Sequence, residues 1–137
     1  MTILAKSFPR VTLSLHIKDC LLIHKYLQQY FPAAGRIVKD FDFWEILRLA
    51  VIFHDLGKGH KEFQNVLENL KNEWKGQRHE LFSLPFLEGL PLEDTVKTLL
   101  HLTIAGHHKD LETLLSKYVI SVYLPIINNP LSKLTLI

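Results

Sequence analysis

A chain of 137 residues, 47% hydrophobic and 22% charged, is long enough for one buried core and too apolar for a disordered segment. Its net charge of +2 is too small to argue by itself for nucleic-acid binding, and its single cysteine, Cys20, excludes an internal disulfide and fits a reducing compartment. Residues 1–10 hold no signal-peptide run, and the greasiest stretch, Tyr118 to Ile127, is broken by Ser121 and Pro125 and is too short to span a bilayer, so a soluble cytoplasmic protein with no membrane partner is expected.

In chain order, Leu13, Ile17, Cys20, Leu21, His24 and Leu27 form a helical stripe that ends near Pro32, with His16 beside it facing slightly differently. Asp42 followed by Glu45 resembles a capping signal, and Phe43, Ile46, Leu47, Ala50, Val51 and His54 then fall on one helical face, with Gly57 as the expected stop. Phe63, Val66, Leu67 and Leu70 give a third stripe, and Pro85 should kink or divide the segment from His79 to Leu90. Pro91 is expected to open a helix in which Val96, Leu99, Leu100, Thr103, Ile104 and His107 share a face. A last stripe, Leu111 to Val122, should stop around Pro125, before the turn signal Asn128-Asn129-Pro130. Period-two alternation is absent apart from a weak trace in 131–137, so the expected class is all-α, one domain over 1–137 with 1–10 and 126–137 peripheral.

Two of these helices carry a histidine at their last inward position. His54 is followed by Asp55, and His107 by His108; His16 and His79 complete a set of side chains that are costly in an apolar interior unless something pairs with them. Imidazole nitrogens and carboxylate oxygens suit divalent ions of the Mn-to-Zn series, and a carboxylate between two sets of histidines can bridge a pair of them. A two-ion centre suits phosphodiester hydrolysis; peptide hydrolysis more often places His-Glu-x-x-His on one helix. Each residue taken alone has a plainer reading: a half-buried His16, an Asp55 that caps or pairs with Lys58, a surface His79, a solvated Lys58. His24 and His101 read as structural, His60 and Lys61 as exposed, and Trp44, Trp74 and the phenylalanines as core rather than base-stacking platforms.

The run His54-Asp55-Leu56-Gly57-Lys58 with Phe63-Gln64, then Arg78-His79-Glu80 with Ser83, then Ile104-Ala105-Gly106-His107-His108, resembles the HD nuclease of type I CRISPR interference, within the wider HD phosphohydrolase superfamily. The likeness covers roughly residues 16–111 in one consistent order. It implies an HD-domain helical bundle that cuts single-stranded DNA in antiviral defence, with a helicase domain or subunit and a CRISPR surveillance complex as partners. It further implies that His16, His54 and Asp55 hold one ion and Asp55, His79, His107 and His108 a second, with Mn, Ni, Co, Mg, Fe or Zn as the metal. Asp55 and Lys58 would be the catalytic residues, Lys58 lying near a substrate phosphate; Glu80 and Ser83 read on their own as supports for the ligands or as structural residues. The sequence departs from the family at one point: no aspartate follows Asp110, whereas the family carries one on a late helix. A shortened domain, a ligand from elsewhere and a weakly held first ion all stay open. So do two other functions: a phosphohydrolase acting on nucleotides or cyclic nucleotides, and a catalytically weak domain that binds metal or a partner.

Overall fold

The computed structural model describes residues 2–36 and 40–108. The chain divides into two units, 1–107 and 108–137, and every element below lies in the first. The expected stripe over 111–122 and the 128–130 turn signal lie outside the described residues.

The first unit is mostly helical. Helix α1 (Leu13–Tyr30) starts where the Thr12 hydroxyl accepts the Leu15 amide proton, and it ends at Phe31, ahead of a 3-10 turn at Pro32–Arg36. Helix α2 (Phe43–Phe53) begins at the anticipated cap, the Asp42 carboxylate accepting the Glu45 N–H at 3.1 Å. It stops earlier than Gly57, which lies instead in a 3-10 turn at Leu56–Gly59. Glycine is needed at 57 for proximity: a Cβ there would overlap the His79 carbonyl oxygen and stand 2.8 Å from the Phe82 Cβ.

Helix α3 (Lys61–Leu67) falls short of Leu70 because Asn69 takes a left-handed φ of 56°. Pro85 divides its segment as expected, into α4 (His79–Ser83) and α5 (Pro85–Glu88). Helix α6 (Asp94–Gly106) begins after Glu93, not at Pro91, since Leu90 and Leu92 first pack against the core and keep the connection out of helical geometry.

The all-α expectation needs one correction. Leu4–Lys6 (β1) and Val11–Thr12 (β2) pair antiparallel, with Leu4 opposite Thr12 and Lys6 opposite Val11. Such short strands leave no alternation for the eye to find, and their stability comes from elsewhere. The buried Gln64 carboxamide accepts the Leu4 N–H at 2.8 Å and donates to the carbonyls of Leu4 and Lys58, at 2.9 and 2.6 Å. Leu4 and Ala5, in a segment expected at the periphery, are buried.

Helices α1 and α6 both pack on α2. Ala50, Leu87, Leu100 and Ile104 form the dry centre between α2, α5 and α6, with Ile46, Leu49 and Phe53 packed on its edge. Among the described residues no helix is long and apolar enough to cross a membrane.

Candidate metal centre

The end of α2 sets the site. His54 closes the helix with its amide bonded to the Ala50 carbonyl, and the chain turns sharply at Asp55, whose side chain is only 1% exposed. Ser83 holds this turn from α4: its hydroxyl donates to the His54 carbonyl at 2.9 Å and accepts the Gly57 N–H at 2.8 Å. The missing side chain at Gly57 thus lets α4 approach close enough to bring His79 over Asp55.

The two carboxylate oxygens of Asp55 face different partners. Oδ2 lies 3.1 Å from His16 Nε2, 3.3 Å from His54 Nε2 and 2.8 Å from Lys58 Nζ. Oδ1 lies 3.0 Å from His79 Nε2 and 3.8 Å from His107 Nε2. One buried acid therefore stands between two sets of histidines, delivered by α1, α4 and the C-terminal ends of α2 and α6. His108 lies in the turn after α6, is exposed and opens the second unit.

Hydrogen bonds behind the rings decide which nitrogen looks inward. His54 Nδ1 is 2.7 Å from the Val51 carbonyl and His107 Nδ1 is 2.6 Å from the Ile104 carbonyl; a carbonyl only accepts, so each Nδ1 donates. A ring that carries its one proton there is left with a lone pair on Nε2, the nitrogen that faces Asp55. His54 Nε2 also lies 3.3 Å from His16 Nε2. Lone pairs converging on a carboxylate repel it unless a cation or a proton lies between, which is the condition a metal ligand set meets. His79 is steadied by Glu80, with Oε2 at 3.5 Å from Nδ1. Glu80 is in turn gripped by Arg78, which donates to Oε1 and to the Ala105 carbonyl, both at 2.6 Å, tying α4 to the end of α6.

The charges agree with this arrangement. Burial pushes the Asp55 carboxyl toward its neutral form, but its close polar neighbours His54, His79 and Lys58 outweigh it and hold the pKa far below the usual carboxylate range. Burial lowers the pKa of His16 and of His107, against the opposing pull of Asp55 on both and of the Ile104 carbonyl on His107, which favours the neutral, ligating form of each ring. Lys58 is not solvated: it is 8% exposed, and its ammonium is turned inward onto Asp55.

The donors fall into two groups within which the candidate ligand atoms lie no more than 4.8 Å apart. Asp55, His79 and His107 belong to one. His16, Cys20 and His54 form the other, so the structure brings together the predicted His16, His54, Asp55, His79 and His107 and adds Cys20, which sequence reasoning set aside. The signal was present: His16 and Cys20 are four residues apart on α1 and share a face. Cys20 is half-buried, and burial together with Asp55 raises its thiol pKa.

The remaining histidines are placed elsewhere. His24 donates from Nε2 to the Trp44 carbonyl at 2.9 Å, taking that Nε2–H as the assigned tautomer. His101 pairs with Glu88, and His60 caps α3 by accepting the Glu62 N–H. Trp74 is buried against Phe63 and Phe82, as a core residue would be.

No protein-family model, no curated protein and no solved structure matches the chain. The site is therefore characterised by its own donors, a His/Asp group that could hold a metal ion.

Proposed function

We propose that this chain is a metal-dependent phosphodiesterase of the HD type that hydrolyses single-stranded DNA in CRISPR interference, together with a helicase domain or subunit and a surveillance complex. The observation that carries the reading is the divided carboxylate: Oδ2 of Asp55 faces His16 and His54 while Oδ1 faces His79 and His107. A buried acid shared in this way suits a pair of ions better than a single one. His16, His54 and Asp55 would hold the first ion, and Asp55, His79 and His107 the second. Divalent ions in such a site supply a water activated at neutral pH and a counter-charge for the phosphate oxygens.

The chain's own residues do the rest. The carbonyls of Val51 and Ile104 fix the tautomers of His54 and His107, so each presents Nε2 without a proton to lose. Glu80 and Arg78 orient His79 from behind. Lys58 holds a positive charge 2.8 Å from the same carboxylate, where a phosphate oxygen would replace Asp55 as its partner.

The test is incubation of the protein with circular single-stranded DNA, duplex DNA and free or cyclic nucleotides, with and without Mn or Ni, beside the Asp55→Ala protein. Cleavage of the single-stranded circle that needs metal and disappears in Asp55→Ala is expected. Turnover of nucleotides alone would assign the chain to nucleotide hydrolysis instead, and bound metal without any turnover would leave a binding domain.

A further inference from the structure

We propose that Cys20 is a metal ligand, so that the first ion is held by a mixed sulfur, nitrogen and oxygen set made of Cys20, His16, His54 and Asp55. The proposal rests on the metal-centre reading above and identifies what completes its poorer side. Among the described residues Cys20 is the further donor grouped with His16 and His54 on that side.

The geometry is that of a site poised to close. In tetrahedral coordination, with metal–nitrogen bonds of about 2.0–2.1 Å and a metal–sulfur bond of about 2.3 Å, ligand nitrogens stand roughly 3.3 Å apart, and sulfur and nitrogen about 3.5 Å. His16 Nε2 and His54 Nε2 are 3.3 Å apart, and Cys20 Sγ is 3.9 Å from His16 Nε2. Asp55 Oδ2 completes the set at 3.1 and 3.3 Å from the same ring nitrogens. A change of a few tenths of an ångström brings Sγ to the tetrahedral spacing from His16 Nε2, and the Cys20, His16 and His54 donors already lie within 4.8 Å of one another.

The four donors also share a rigid base. His16 and Cys20 lie one helical turn apart on α1, which packs directly on α2, the helix that ends in His54 and Asp55. On binding, the thiol proton leaves to solvent and the sulfur coordinates as thiolate; no oxidant or reductant is involved. A thiolate changes selectivity. Sulfur favours Zn, Co or Ni at this position over Mg or Mn, whereas the Asp55, His79 and His107 side keeps the oxygen and nitrogen donors that accept harder ions. The two positions are thereby chemically unequal.

Cobalt(II) titrated into the full chain tests this directly. A near-ultraviolet thiolate-to-cobalt charge-transfer band is expected in the parent protein and absent from Cys20→Ser, with bound cobalt counted separately by mass spectrometry after desalting. Affinity at the first position should drop in Cys20→Ser by at least about tenfold, the lower end of what even outer-shell partners contribute. Cys20→Asp should restore binding while moving preference toward manganese. In the unsubstituted protein, zinc should slow alkylation of Cys20 by iodoacetamide, a readout that needs no variant to fold. Cobalt retained without the band, or alkylation unchanged by zinc, overturns Cys20 as a ligand and leaves the histidine and aspartate centre standing. A parent protein that retains no cobalt overturns both.

Discussion

Helices α2 and α6 each build two very different regions, and the contrast lies along one face of each helix. Their middle turns supply Ala50, Leu100 and Ile104 to a centre that is dry and purely apolar. Their last turns supply His54 and His107 to a cluster around a buried charge. The helical period does not change between the two; only the residue type at the inward position does. The apolar turns position the ligands, and the polar turns spend some of that stability on holding a charge out of water. The core side should thus answer to packing and be indifferent to metal, and the cluster side should do the reverse.

Substitutions can separate the two regions. Leu100→Ala, at a site with no exposure, should cost about 2–5 kcal/mol in urea denaturation while leaving the metal bound per folded molecule unchanged. Loss of bound metal in that variant would show that core and cluster are one cooperative unit. Asp55→Asn, which keeps the shape and removes the charge, should lower metal-dependent cleavage by about 10²–10³-fold and metal content with it. An active, metal-loaded Asp55→Asn protein would remove the bridge from the reading.

Gly57→Ala lies where the regions are joined, since its new methyl meets the backbone of His79 and the side chain of Phe82. A cost of about 1–3 kcal/mol is expected, with weakened metal binding because α4 and the 56–59 turn are forced apart. A stable variant with unaltered metal content would show that α4 adjusts freely.

The smallest effect is on the far side of α2, where Arg48 donates to the Glu45 carboxylate at 2.6–2.7 Å. This pair is nearly half exposed, so Arg48→Ala should cost less than about 1 kcal/mol. The hydrogen bond with Arg48 is the main cause of a lowered Glu45 pKa. Its contribution should accordingly be present above the ordinary glutamate value of about 4.3 and fade as the pH falls through the lower folded value. Denaturation of Arg48→Ala beside the parent at neutral and acid pH measures this: the gap between them should close in acid.

Periodicity made the helices legible, and it did so because their inward faces are continuous. Asp42 announced the start of α2 and caps it through the Glu45 amide, although the Glu45 carboxylate turns to Arg48 rather than back to Asp42, and Pro85 divided its segment as a residue without an amide proton must. The hairpin at the N-terminus was not legible. Its few pairs depend on Gln64, some sixty positions away, and no local pattern carries that information. Gly57 was read as a helix stop from its type, whereas its reason is a neighbour from α4 that only the tertiary structure supplies. The histidines and Asp55 could be listed from spacing and resemblance, but the division of the carboxylate between two sets could not, nor could the inward turn of Lys58. Cys20 was passed over because it was read as one position of an apolar stripe and as a pointer to a reducing compartment, and only the fold brings His54, from another helix, near it.

The Gln64 clasp links the first residues of the chain to the loop that carries Asp55. Its amide group meets the amide proton of Leu4 at one end and the carbonyls of Leu4 and Lys58 at the other. Deleting or displacing the first few residues would therefore strand a buried acceptor and free the Lys58 carbonyl's neighbour to rotate. A tag fused close to Leu4 would be felt at the metal centre without touching it, and amide exchange at Lys58 and Gly59 would register the slackening first.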